Sequence, residues 1–323
     1  MKRRALLATL ALATAAFAAP VPAQTYPSRA ITLVSPFPAG SGSDTTARAV
    51  SPGLAEALGQ AVVVENKPGA GGSIGAQFVA SAKPDGYTLF LASLSFSVLP
   101  SLMKLPFDPV KDFEAVTLMG LQAMVFVVPP TLPADSMAGL VALAKASPGK
   151  LNYASAGIGS IGHLTGELLN SERAVDIVHV PFKGTPAALM AIMSGEVQMG
   201  LIAMPAVAAQ IKAGKVKALG VTGNRRQSEL PDVPTLAEAG FPNMSDSVWY
   251  AVLVPSGTPK DVIAKLNSAF REALGQKVTI ERLEGPAKTT PTVSTPQEAT
   301  DYVRAQIAKW SDIASKAGLK PGS

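Results

Sequence analysis

The sequence predicts an α/β protein built mainly on parallel sheets, and three observations carry that prediction. Short β-branched runs alternate with stretches of helical periodicity along nearly the whole chain, as successive βαβ units do. Glycine-rich turns stand where such runs hand over to helices, at the carboxyl edge of the strands. The chain is also long and apolar, 323 residues of which 47% are hydrophobic and 16% charged, against roughly 25% charged residues in an ordinary domain. That is enough to bury a large core in two domains, or in one large α/β unit. With no cysteine, no disulfide scaffold contributes.

The leader distorts the charge balance. Met1-Lys2-Arg3-Arg4 followed by the apolar run Ala5 to Ala19 has the layout of a secretory signal peptide, so residues 1–23 are expected to be removed. The small residues Val21 and Ala23 place cleavage after Ala23, with a cut after Ala18 as the alternative. The apolar run is shorter than the roughly 20 residues that span a bilayer. The remaining chain is therefore expected to be exported, with the periplasm as its compartment. Removing Lys2, Arg3 and Arg4 lowers the cations from 28 to 25 against 23 acids, and the net charge from +5 to +2. No basic cluster is left to hold nucleic acid or an anionic membrane.

Strands are expected at Ile31 to Val34, Val62 to Val64, Tyr87 to Ala92, Val125 to Val128, Leu151 to Ala154, Ile177 to Val180, Met199 to Ile202, Val216 to Val221 and Val248 to Val254. Between them Ala47, Val50, Leu54 and Leu58 recur at helical spacing, as do Leu164, Leu168 and Leu169, and Leu189, Ile192 and Met193. Two longer amphipathic helices are expected from Pro259 to Leu274 and from Pro296 to Ala317. A boundary falls near Gln122 to Met124 and a return crossing near Asn243 to Val248. These divide the chain into a discontinuous first lobe, 24–123 with 248–323, and a continuous second lobe, 124–247, with a cleft between them.

Three turns carry the functional argument: Phe37 to Asp44, Asn66 to Gly75, and Ser155 to His163. Gly157, Gly159 and Gly162 fit the spacing G-x-G-x-x-G, yet the acid of a dinucleotide site is missing after the next strand. Gly157 and Gly162 also have Walker A spacing, but His163 and Leu164 replace the required Lys and Ser/Thr, so no nucleotide cofactor is expected. What remains is the general property of a glycine turn at a helix start, where free backbone N–H groups and the helix dipole attract an anion, a carboxylate as readily as a phosphate. The plainer reading is that Ser41, Ser43, Ser155, Ser160 and Asp44 cap helices. Three such turns in one chain favour a site.

Several motifs resemble one family. Tyr26-Pro27-Ser28-Arg29, Phe37-Pro38-Ala39-Gly40 followed by Asp44, Ala57-Leu58-Gly59-Gln60, Val63-Val64-Glu65-Asn66 and Pro84-Asp85-Gly86-Tyr87-Thr88-Leu89 are similar to the Bug-type solute-binding receptors of tripartite tricarboxylate transporters. So are Leu151 to Gly157, His179 to Gly184, Pro231 to Gly240 and Trp310. The resemblance implies a two-lobed periplasmic binding protein of the Venus-flytrap, type II-like architecture. It would close as a monomer on a small organic acid, carrying one, two or three carboxylates, and deliver it to membrane permease subunits. Carried over residue by residue, the gripping groups are Phe37, Ala39, Gly40, Ser43 and Asp44 on one side and Ser155, Gly157, Gly159, Ser160 and His163 on the other. Ser93, Ser95 and Ala203 complete the pocket. Ser41 replaces a glycine usual in the family's first loop, which either alters the backbone geometry there or brings a hydroxyl within reach of the ligand. The stretch Gly200 to Met204 lacks the acid that many relatives carry, which favours a simple carboxylic acid over an amino acid.

Other chemistry has thin support. His163 lies at a helix start near Ser155 and Ser160, but no G-x-S-x-G elbow is present. His179 reads as a structural histidine, and the ten methionines as core filler. No metal motif occurs. Trp249 and Tyr250 either line the cleft or pack the hinge. A ligand sensor for a membrane kinase and a periplasmic hydrolase remain as alternatives; the main expectation is a receptor, not an enzyme.

Overall fold

The computed structural model describes residues 26–158 and 160–316. The leader and its cleavage site, Gly159 and Ala317 lie outside the described residues. Within them the strands are β1 (Ile31–Ser35), β2 (Val62–Asn66), β3 (Thr88–Ser93), β4 (Phe113–Gln122), β5 (Met124–Val128), β6 (Leu151–Ser155), β7 (Ile177–Pro181), β8 (Met199–Ala203), β9 (Lys217–Val221), β10 (Val248–Pro255) and β11 (Thr289–Pro291). The helices are α1 (Gly42–Leu58), α2 (Ser73–Ala80), α3 (Leu94–Leu102), α4 (Met137–Ala146), α5 (Ile161–Arg173), α6 (Thr185–Ser194), α7 (Met204–Lys212), α8 (Lys260–Gly275), α9 (Lys277–Glu284) and α10 (Pro296–Lys316).

Two sheets result, one of order β11-β4-β10-β3-β1-β2 and one of order β7-β6-β8-β5-β9. Each has apolar clusters on both faces. On β3, Leu89 and Leu91 enter one cluster while Phe90 and Ala92 enter the other. This is why the strands read as continuous apolar runs and not as alternating ones. In the second sheet, Phe126 and Val128 of β5 pack on one side and Val125 and Val127 on the other.

The two-lobed α/β architecture is the expected one, but both sheets are mixed where mainly parallel sheets are expected. β1 is parallel to β2 and β3, and β6 is parallel to β7 and β8. β10 runs antiparallel to β3 and β4, and β5 runs antiparallel to β8 and β9. The physical reason is how these two strands arrive. Each is delivered from the other sheet by a crossing segment, so no helical crossover imposes a parallel direction on it.

The strand β4 is missed by the periodicity reading. Eight of its ten residues are buried, so its pattern shows no alternation, and Ala115, Met119 and Gly120 interrupt any β-branched run. β11 has three residues and ends in proline, and α9 is a short helix directly after α8.

The crossings are tight. Only Ala123 separates β4 of the first sheet from β5 of the second. The return strand β10 begins beside it: Thr222 N–H donates to Met124 O at 2.9 Å, Met124 N–H donates to the Thr222 hydroxyl at 2.9 Å, and that hydroxyl lies 3.3 Å from Ser247 Oγ. Buried hydroxyls thus pin the two connections side by side.

Candidate functional site

A cavity of about 380 Å³ opens beside these crossings and is lined from both sheets. Its walls are largely the beginnings of helices. Gly42 and Ser43 open α1, Leu94 and Ser95 open α3, Ile161 opens α5, Thr185 opens α6, and Ala203 is the N-cap of α7; all line the cavity. Each N-terminus carries a partial positive charge of roughly half an elementary charge and N–H groups without an intrahelical partner. The N-caps of α3, α6 and α7 give no side-chain cap, so those N–H groups remain for water or a ligand. None of the described lining residues is charged. The site is therefore electropositive through its backbone, which suits an anion.

The loops that aim these helix starts are held by side-chain hydrogen bonds, some from residues that line the cavity and some from residues behind it. Ser41 is the N-cap of α1 and accepts from Asp44 N–H at 3.3 Å. Asp44 accepts from Gly40 N–H at 2.9 Å, from Arg48 Nε at 2.9 Å and from Asn66 Nδ2 at 2.9 Å, and Asn66 Nδ2 also donates to Phe37 O at 2.9 Å. Burial opposes ionisation of Asp44, but these donors outweigh it and hold its carboxyl below the ordinary value. In the third turn Gly157 adopts φ 128°, open to glycine and strained for other residues. Ser155 Oγ accepts from Gly157 N–H at 3.1 Å, and Ser160 caps α5 by accepting from His163 N–H at 3.4 Å.

The expected site residues divide accordingly. Phe37, Ser41, Ser43, Ser93, Ser95, Ser160 and Ala203 line the cavity. Ala39, Gly40, Asp44, Ser155, Gly157 and His163 do not, and Gly159 lies outside the described residues. For Asp44 and Ser155 the reason is that their polar atoms are committed to shaping the loops. Of the pair at the return crossing, Tyr250 lines the cavity while Trp249 points to the opposite face of β10 and packs edge-on against Tyr302 at 5.9 Å.

The serine–histidine pair that forms is Ser155 with His179, at 2.7 Å, and it is built for support. Ser155 is 1% exposed. The His179 ring lies between Tyr153, at 4.8 Å, and His163, at 4.0 Å, and its described side-chain hydrogen bond goes to Ser155, with no carboxylate among its described partners to orient it as in a catalytic triad. Burial and the neighbouring His163 push His179 down to about 4. Burial lowers His163 too, against the opposing pull of the Glu167 carboxylate. Among the described residues no group of three potential metal ligands forms.

Gln122, Met124 and Val248, which were not among the expected site residues, also line the cavity, and their place at the expected crossings is the sequence signal that marks them. Leu99 and Leu102 of α3 also line the cavity; their three-residue spacing is indistinguishable from that of core leucines. Gly42 is a further contact: a Cβ there would come within 2.8 Å of Tyr250 Oη and 3.3 Å of Gln122 Oε1.

Comparison with known proteins gives this geometry a family. Residues 46–319 match TctC, the tripartite tricarboxylate transporter family receptor. The chain belongs to that family. It is 37% identical over 328 residues to the protein BugT of Bordetella pertussis, covering 99% of each chain. Among solved structures it is similar to R. palustris Rpa4515 with adipate, at 32% identity and a TM-score of 0.80, covering 92% of this chain and 99% of the other. It is also similar to MatC from Rhodopseudomonas palustris with bound malate, at 33% identity and a TM-score of 0.74, covering 90% and 100%. TctC proteins are periplasmic substrate-binding receptors and not enzymes, and no helix among the described residues is long and apolar enough to cross a membrane.

Proposed function

We propose that this TctC receptor captures a small organic carboxylate between its two lobes in the periplasm and passes it to a membrane permease. The observation that carries the reading is the meeting of helix N-termini from both sheets on one cavity with no charged side chain among its described lining residues. Relatives with adipate and with malate support the ligand class. Lobe 1 comprises 24–123 and 248–323 and lobe 2 comprises 124–247, hinged at Ala123 and at the Thr222–Ser247 contact. The leader is cleaved after Ala23, and the receptor acts as a monomer.

Each lobe alone offers the ligand half a shell. Closure brings the starts of α1 and α3 onto the same anion as those of α5, α6 and α7, removes water, and strengthens every hydrogen bond in the lower dielectric. The ligand drives the hinge only through its greater affinity for the closed form. Phe37 contacts the ligand from the loop after β1, Ser41, Ser43, Ser93, Ser95, Ser160 and Ala203 contact it from their helix starts, and Asp44, Ser155 and His163 hold the loops. A thermal-shift screen of mono-, di- and tricarboxylates tests the reading. Saturating ligand at a hundred times its Kd stabilises the fold by about 2.7 kcal/mol, a shift of several degrees. No shift with any carboxylate overturns it.

A further inference from the structure

We infer that the ligand of this receptor is a carboxylic acid with a hydrocarbon body, in preference to hydroxylated or amino acids of the same skeleton; this rests on the carboxylate-receptor reading above. The helix starts account for the acid group. The remaining wall decides what the rest of the molecule is made of. Phe37, Leu99 and Leu102 approach from the first sheet, and Met124, Ile158 and Ile161 from the second. Ile158 is 69% exposed at the tip of its turn, a large apolar side chain presented to the cavity with nothing yet covering it. Hydrocarbon placed against this wall is favourable in proportion to the apolar area it removes from water.

The polar side chains of the wall are largely engaged with the protein. Ser43 Oγ lies 3.0 Å from Ser35 Oγ and 3.2 Å from Ser41 Oγ. Ser93 and Ser95 pair with each other at 3.0 Å, and Gln122 Nε2 donates to Ala287 O at 2.8 Å. Ser160 Oγ accepts from the backbone N–H of His163. An added ligand hydroxyl that faces the wall of Phe37, Leu99, Leu102, Met124, Ile158 and Ile161 is buried without a partner, and one that faces the serines competes with these bonds. Burying an unpaired hydroxyl in a protein costs roughly five- to 150-fold in affinity. An added ammonium fares worse, because no carboxylate is among the described lining residues and the helix starts repel a cation.

The experiment is calorimetry and thermal shift on the mature chain with two matched sets of probes. The first is succinate, malate and aspartate, which place hydrogen, hydroxyl and ammonium on one four-carbon skeleton. The second is adipate, benzoate and cyclohexanecarboxylate against citrate. The expected result is at least one hydrocarbon-bodied acid that binds, with its hydroxylated, aminated or tricarboxylate counterparts tenfold or more weaker. The Ile158→Ser variant, at an exposed turn that leaves the core untouched, is expected to weaken the preferred acid several-fold. Tighter binding of malate, aspartate or citrate overturns the inference while leaving the receptor reading intact. Failure of every carboxylate to bind a folded protein overturns both. Unchanged affinity of Ile158→Ser, with malate and succinate equal, overturns the inference as well.

Discussion

Asp44 places a carboxylate beside an anion site without giving it to the ligand. Its oxygens accept from Gly40, Arg48 and Asn66, which fix the turn between β1 and α1. Replacing it by alanine leaves those donors unpaired, and Asp44→Ala is expected to destabilise the fold by about 1–3 kcal/mol in urea denaturation. Since the folded carboxyl titrates below the ordinary 3.8, its contribution is present above that value and is lost as pH falls through the lowered folded value. The sign is different in origin for His179. Its folded value of about 4 lies below the ordinary 6.5, so the folded state binds fewer protons between the two, and stability falls as pH drops from 6.5 towards 4. In His179→Gln that part of the acid sensitivity is expected to vanish; an unchanged dependence of the urea midpoint on pH over this window would count against the assignment.

Among the elements, α1 brings its first two residues, Gly42 and Ser43, to the cavity wall. Its first residue must be small: a methyl at position 42 meets Tyr250 Oη at 2.8 Å, and Tyr250 is held in a buried strand. Gly42→Ala is therefore expected to push α1 outward and weaken the tightest-binding carboxylate about tenfold or more in calorimetry, with only modest change in stability. Tyr250→Phe in the same chain removes the clashing oxygen and is expected to restore part of the loss, a coupling that an independent effect at each site does not produce. The elements themselves were largely legible beforehand. The β-branched runs located β1, β2, β3 and β5 to β10 to within a residue or two. β4 escaped because a strand covered on both faces has no alternation to read, and α9 because it follows α8 without an intervening turn signal.

At the scale of the whole molecule the two lobes share more than their crossings. Leu164 of α5, a helix packed on the second sheet, is fully buried in the same cluster as Trp310 and Ile313 of α10, which packs on the first. The helix that presents Ser160 to the cavity thus leans on the other lobe, and its position reports on the relation between them. Leu164→Ala leaves a cavity at this contact and is expected to cost about 2–5 kcal/mol in urea unfolding. A loss well under 1 kcal/mol would show that the contact contributes little.

What the sequence determined by itself is local: which segments form strands and helices, and where glycine turns open the helices with free backbone N–H groups that attract an acid. Backbone geometry follows from neighbours in the chain, so it can be read there. The tertiary structure decided which side chains of those turns face the cavity and which way β5 and β10 run. Both depend on partners far away in sequence: Asn66 claims Asp44, His179 claims Ser155, and a strand entering from the opposite lobe takes its direction from the crossing that delivers it.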